Sequence, residues 1–357
     1  MIGITGSILV FHEELDALFA PRAAQVRSSG APEAGLSRVL GNIRSEYAGA
    51  KIKSVLYPTE SLPAFRTTAA GKDDMLIFSD AGTGRILGAS RLADSWLAWT
   101  RSLHANLLMG RTGRVVNGVG SALLLIICIT GAVIWWPGAR RWKRSLTVKL
   151  HAPWKRFNFY FHSATGFWSL AILLVWGLTG VYFGWPRQFT AFVAQFSPVT
   201  NGRPPKVDVP AGREQAAVDL DTALSRLSAG NTGMKITRLI FPPNRKAPLT
   251  VTMGRPGQTG PGSATFFYLH PVSYRVLSTW QRGKSQTAGD AIIGLTHPIH
   301  FGTSWGLTIK ILWGLFGLSL PILFTTGAIM YWNRSLARQW ARLKSRPDAM
   351  RDRPAQA

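Results

Sequence analysis

Three stretches of this chain run for about twenty residues or more without a charged side chain: Val115–Trp136, Phe161–Pro186 and Ile311–Trp332. A bilayer core of about 30 Å is crossed by roughly 20 helical residues at about 1.5 Å each. Each run meets that length. A helix buried in a soluble core would show the same composition. Three such runs, each closing in Trp or Tyr as at an interfacial belt, instead read as membrane spans. The lone cysteine, Cys128, sits inside the first run. It has no partner for an intrachain disulfide and reads as packing.

Charge sets the orientation. The chain carries 41 Lys and Arg against 17 Asp and Glu, a net +24. Such an excess raises the question of nucleic acid, but its distribution excludes that class. "PGARRWKRSLTVKLHAPWKRF", between the first two runs, holds seven basic residues and no acid, and seven more follow Trp332. Basic residues flanking spans mark the cytoplasmic side of a membrane, where they also meet anionic lipid. The loop and the C-terminal tail are then both cytoplasmic, and residues 12–103 and 187–300 lie outside. That topology requires a crossing before residue 12. Met1–Phe11 covers only about 17 Å as helix, so a truncated first span is expected here.

The phrase Thr-Gly followed five residues later by an aromatic occurs four times: Thr5-Gly6 with Phe11, Thr130-Gly131 with Trp136, Thr179-Gly180 with Trp185, and Thr326-Gly327 with Trp332. These read as the last turns of four related spans, a small packing residue before an interfacial aromatic. The outside segments also match. "KIKSVLYPTE" (Lys51–Glu60) parallels "KITRLIFPPN" (Lys235–Asn244), and "IFSDAGTGRILG" (Ile77–Gly88) parallels "FYLHPVSYRVLS" (Phe267–Ser278). Each follows a helix-like stretch, Leu36–Tyr47 or Ala216–Leu227, and each reads as short strands between turns.

The fold class expected is an α-helical integral membrane protein of four transmembrane helices, the first truncated, with two α+β extracytoplasmic domains and an internal duplication about an axis along the membrane normal. In order, the parts are the end of span one (1–11), outside domain one (12–103), span two with an outside lead-in (104–137), a basic loop (138–157), span three (158–186), outside domain two (187–299), span four with its lead-in (300–333) and a basic tail (334–357).

Ionisable groups at span ends are functional candidates because burying them is costly. No Asp or Glu occurs between Asp94 and Asp208, or between Asp290 and Asp348. The spans therefore offer histidine and no carboxylate. His104 lies 27 residues before Gly131, and His300 lies 27 residues before Gly327. His162 lies 18 residues before Gly180, which sets it at the opposite face of the membrane. His297 stands one turn before His300 and is the alternative to it as the ligand opposite His104. His12, His151 and His270 have no partner in the repeat and read as surface residues. Two imidazoles with no carboxylate or thiolate, in an apolar and glycine-rich surround, are the ligands of a b-type haem, one or two per chain. No CxxCH is present for covalent attachment. A zinc or copper site on His104, His297 and His300 is the weaker alternative. Arg101, Arg111 and Arg114 near His104 read as interface cations that are also in reach of haem propionates.

"TGSILVFHEELD", "LHANLLMGRTG" followed by "TGAVIWWP", "FHSATGFWSLAILLVWGLTG" and "DAGTGRILG" together resemble the PepSY-associated transmembrane helix family, from Met1 to about Arg334. The family's first helix normally opens on an "LHRW"-like phrase that this chain lacks. The resemblance implies PepSY-like outside domains and an iron-regulated inner-membrane protein similar to ferric-siderophore reductases. It implies haem b held by His104 and His300 on the periplasmic side and by His162 on the cytoplasmic side. It also implies a ferric siderophore or other ferric chelate as substrate, and quinol or a cytoplasmic reductase as electron donor. The rival readings are a PepSY-domain binding or regulatory membrane protein without redox activity, and a transporter of the iron complex.

Overall fold

The computed structural model describes residues 1–25, 34–71, 74–136, 146–200, 204–207, 219–244, 246–256, 264–281, 284, 287–302, 305–337 and 339–340. Residues 138–145 of the basic loop, most of the tail, and the expected helix start at 216–218 lie outside these.

The chain opens with three short helices, α1 (Ile2–Leu9), α2 (His12–Phe19) and α3 (Arg22–Gln25). Helix α4 (Leu36–Glu46) then leads into strands β1 (Lys51–Leu56), β2 (Ala64–Ala70), β3 (Met75–Asp80) and β4 (Ile86–Arg91). Helices α5 (Trp96–Asn106), α6 (Gly110–Trp135), α7 (Trp154–Gly184) and α8 (Pro186–Val193) follow. The same pattern then recurs: α9 (Leu220–Ala229), β5 (Lys235–Ile240), β6 (Leu249–Gly254), β7 (Ala264–Leu269), β8 (Val276–Gln281), α10 (Ala288–Phe301), α11 (Gly306–Gly317) and α12 (Ser319–Tyr331).

Among the described residues three helices are long and apolar enough to cross a membrane: α6, α7 and the continuous stretch Gly306–Leu336 built from α11, α12 and a π-helical turn. Their outer surfaces are inverted relative to a soluble protein. Leu123, Ile126, Ile127, Ile129, Val133 and Ile134 of α6 are all exposed, as side chains facing lipid are. Helix α1 has eight residues, a rise of about 12 Å. It is nonetheless firmly seated. Ser7 Oγ donates to the Gly314 carbonyl at 2.7 Å. Pro321 has no N–H for the carbonyl four residues back, Gly317. A Cβ on Gly3 would collide with that oxygen.

Glycine also sets a close helix contact between α6 and α7. Gly118 and Gly184 meet Cα to Cα, Gly180 abuts Ser121, and Gly177 abuts Leu125. Small residues let two backbones approach where lipid supplies no hydrophobic drive for association.

The two expected outside domains share one antiparallel sheet of eight strands, ordered β4-β3-β2-β1-β5-β6-β7-β8. Its centre is the β1–β5 pairing, Ser54 with Ile240, Val55 with Leu239 and Leu56 with Arg238. Two separate four-stranded sheets would each leave β1 or β5 as an open edge, and pairing them removes both edges. One face of the sheet carries a single core. Val55, Phe65, Leu239, Val251 and Met253 pack there beneath α4 and α9. The halves are also tied through a helix end: the Asp221 carboxylate of α9 accepts the Ser37 N–H of α4 at 3.1 Å. A smaller cluster of Ala20, Ala24, Leu62, Ala64 and Phe78 joins α3 to the other face. Because Val55 and Leu239 are opposed and fully buried at the seam, Leu239→Ala is expected to cost about 2–5 kcal/mol. Thermal unfolding of the detergent-solubilised chain should show both halves losing stability together.

Helix α2 is held to the bundle by charge. Lys310 at the head of α11 is 10% exposed and donates to Glu14 at 2.8 Å, with Glu13 at 3.6 Å. Both carboxylates are largely in solvent, 50% and 66% exposed. The consequences of removing a partner are therefore asymmetric. Losing the lysine leaves only hydrated acids, whereas losing Glu14 leaves a buried ammonium without its nearest partner. Glu14→Gln is expected to be more destabilising than Lys310→Met. Denaturation midpoints of the two variants decide this, and equal shifts would contradict the buried-cation account.

Candidate functional site

His104 and His300 sit on matching short helices, α5 and α10, which lie outside the three membrane-length helices. Each helix begins on a hydroxyl cap, Ser95 accepting from Ala98 N–H and Thr287 accepting from Asp290 N–H. Each ends on a residue in the left-handed region, Leu107 at φ 54° and Gly302 at φ 64°. Leu107 and Leu108 both have positive φ, a conformation that strains a branched side chain. The chain there turns sharply from α5 into α6.

The two imidazoles converge. Their ring centroids are 6.3 Å apart with an interplanar angle of 62°. Two imidazoles sharing one first-row metal ion, each nitrogen about 2 Å from it, have centroids roughly 6 Å apart. His104 Nδ1 lies 3.0 Å from Thr5 Oγ1 and 3.1 Å from the Ile2 carbonyl. His300 Nδ1 lies 2.7 Å from Thr179 Oγ1. The main chain of each histidine is fixed as well: Asn117 Nδ2 donates to the His104 carbonyl at 2.7 Å, and Trp176 Nε1 donates to the His300 carbonyl at 3.1 Å. Trp313 Nε1 adds a bond to the Ile299 carbonyl at 2.9 Å.

Around the pair is a cavity of about 430 Å³ bounded by α1, α5, α6, α7, α10, α11 and α12. Its wall includes Gly3, Gly6, Gly118, Gly180, Gly184 and Gly317, with Phe183, Trp176 and Trp313. Arg114 also lines it. Burial holds both imidazoles below their usual range, His300 to about 3 with further lowering from His104 and His297. Both are therefore neutral at pH 7, the form that ligates a metal.

The other sequence candidates fall elsewhere. His297 stacks on Phe301, centroids 4.3 Å apart, while the His300 ring is the one that faces His104. His162 lies on α7, 17 residues before Thr179, about 26 Å along the helix. Its Nδ1 is 2.8 Å from Thr326 Oγ1, and Asn158 Nδ2 donates to the Thr326 carbonyl at 3.0 Å. Among the described residues no second histidine faces His162, and no group of three or more His, Cys, Asp or Glu could hold a metal ion. Arg101 belongs to a second feature. It lies in the field of Arg66 and Arg238, residues that both pair with Leu56 in the sheet. Burial lowers the Arg66 guanidinium pKa, offset in part by Asp16 3.4 Å away, and it lowers that of Arg238, which Arg101 and Arg66 lower further.

Sequence reasoning missed the threonines. The Thr-Gly phrases read as packing and interfacial marks, yet in three of the four the hydroxyl meets an imidazole. The glycines explain part of the pattern: a Cβ on Gly6 would press on His104 Cε1, and one on Gly327 would touch His162 Cε1. The signal available was the fourfold repeat itself, which interfacial aromatics alone do not require.

Membrane-length helices beneath a continuous antiparallel sheet, with two half-buried imidazoles meeting at an apolar cavity, define a multi-pass membrane protein. The chain belongs to the family described as PepSY-associated TM region, whose model matches residues 1–334. It is 25% identical over 268 residues to the Uncharacterized protein PA4219 of Pseudomonas aeruginosa, a match covering 68% of this chain and 65% of that protein. The matched stretch thus spans just under two thirds of the relative's length.

Proposed function

We propose that this chain is a haem-bearing electron carrier of the bacterial inner membrane that reduces ferric iron, as a siderophore or similar chelate, at the periplasmic face. The observation that carries this reading is the His104–His300 pair, with ring centroids 6.3 Å apart in an apolar cavity walled by glycines. The donor set suits a b-type haem. It offers two neutral imidazoles with no thiolate or carboxylate, and glycines that let a flat macrocycle lie against helix backbone. Arg114 stands where a propionate would find a counter-charge. Haem, when bound, supplies one-electron chemistry at a potential set by its two axial ligands.

The chain's own residues do the rest. His104 and His300 would hold the iron between two halves related by duplication, and α1 would serve as the end of a fourth span. The apolar wall keeps water from the site. The basic loop and tail set the orientation, with the sheet outside. His162 stands about 26 Å away along α7, at the level where electrons enter from quinol or a cytoplasmic reductase. Each ferric complex accepts one electron, and a quinol giving up two electrons and two protons serves two complexes. The Arg66, Arg101 and Arg238 group beside the sheet favours an anionic chelate over a cationic one.

The test is direct. Full-length protein made with haem supplied should be red, should show a low-spin spectrum that sharpens on dithionite, and should be reoxidised by a ferric chelate with one iron reduced per electron stored. A colourless preparation would sink the redox reading and leave a binding or regulatory module.

A further inference from the structure

The fourfold Thr-Gly phrase has a chemical reading that rests on counting protons. A threonine hydroxyl has one hydrogen to donate. Each of these hydroxyls donates it to the backbone one turn earlier: Thr5 to Met1 and Ile2 at 3.2 and 3.0 Å, Thr179 to Val175 at 2.7 Å, and Thr326 to Ile322 at 2.7 Å. With that hydrogen engaged, Oγ1 faces the histidine only as an acceptor. The imidazole Nδ1 at 3.0, 2.7 and 2.8 Å must then carry the proton. His104 supports this independently, because its Nδ1 is also 3.1 Å from the Ile2 carbonyl, which can only accept. A neutral imidazole protonated at Nδ1 has a bare lone pair on Nε2.

The geometry points to Thr5, Thr179 and Thr326 as positioning residues that lock His104, His300 and His162 in the Nδ1–H tautomer and so reserve each Nε2 for a metal. The assignment deepens the haem reading of the same site and rests on it only for the identity of that metal. Each threonine comes from a different helix than its histidine, so the bond also fixes the ring's rotation across a helix interface. Thr130, the fourth member, makes the same back-bonds to Ile126 and Ile127 at 2.8 and 3.2 Å. Among the described residues no histidine meets it.

The experiment has two readouts on the full chain. Nitrogen-15 NMR of histidine-labelled, haem-depleted protein reports the tautomer of each buried ring. Haem titration and a potentiometric titration of the loaded protein report the consequence. Wild type should show the Nδ1–H form at all three buried histidines. Thr179→Val, close in shape and without the hydroxyl, should release His300 to a mixture of tautomers, weaken haem binding by about 10- to 100-fold and raise the midpoint potential. Thr179→Ser should restore all three properties, which a purely structural role does not predict. Correct tautomers that respond to the valine change in a protein that takes up no haem would uphold the positioning role and defeat the electron-carrier reading alone. An Nε2–H tautomer at His104 or His300 in wild type overturns the inference. So does a Thr179→Val protein with wild-type tautomer and haem affinity, and Thr5→Val applies the same criterion at His104 should Thr179→Val not fold.

Discussion

Replacing His300 with alanine should empty the site between the two halves of the molecule. The His300 ring faces His104 across 6.3 Å. On the haem reading its removal takes away one of the two imidazoles that would hold the group, and it leaves Thr179 Oγ1 without that imidazole. A haem held by His104 alone would be high-spin and weakly bound. Haem content, measured by pyridine haemochrome, should fall by one per chain, and the reduced low-spin bands of that site should vanish. His104→Ala should do the same. His297→Ala is the internal control: its ring stacks on Phe301, so that variant should keep its haem. If His297→Ala bleached the protein and His300→Ala did not, the pairing would be assigned to the wrong residue.

The second large effect is structural. Gly118 and Gly184 bring α6 and α7 to backbone contact, and a Cβ built on Gly184 would stand 2.7 Å from Gly118 Cα. Two rigid backbones cannot yield as a flexible side chain can. Gly184→Leu should force the helices apart, widen the cavity they share and cost about 3 kcal/mol or more. Loss of monodisperse protein on size exclusion, together with a lower melting temperature, checks this. Gly184→Ala should fall between that variant and wild type. Gly120 of α6 has nothing within 4 Å of its Cβ position, so Gly120→Ala should be silent. A Gly184→Leu protein as stable as Gly120→Ala would show that the two helices do not pack as described.

Much of the architecture was legible because lipid imposes a coarse rule. Charge-free runs found α6, α7 and the Gly306–Leu336 stretch, and the parallel phrases at Lys51 and Lys235 found β1 and β5. What was not legible was the pairing of those two strands with each other. Strand partners are chosen by tertiary contact, and nothing local in "KIKSVL" or "KITRLI" names the other as its neighbour. The imidazole pair was legible through its matched 27-residue spacing. The bonds around it were not, because Thr5 and His104 stand 99 residues apart. A threonine that holds an imidazole reads in sequence like one that packs. The α5–α6 break was hidden for another reason: Leu107 and Leu108 take positive φ, a conformation that leucine does not advertise.

The edge strands of the sheet, β4 and β8, run into the two histidine-bearing helices. Eight strands at about 4.8 Å spacing set those edges some 34 Å apart, while the imidazoles meet at 6.3 Å. The polypeptide is thus an arch, with the β1–β5 seam as its keystone and α5 and α10 as legs leaning inward. A load that flexes the crown, such as a docked chelate or protein, would be delivered to the gap between the feet.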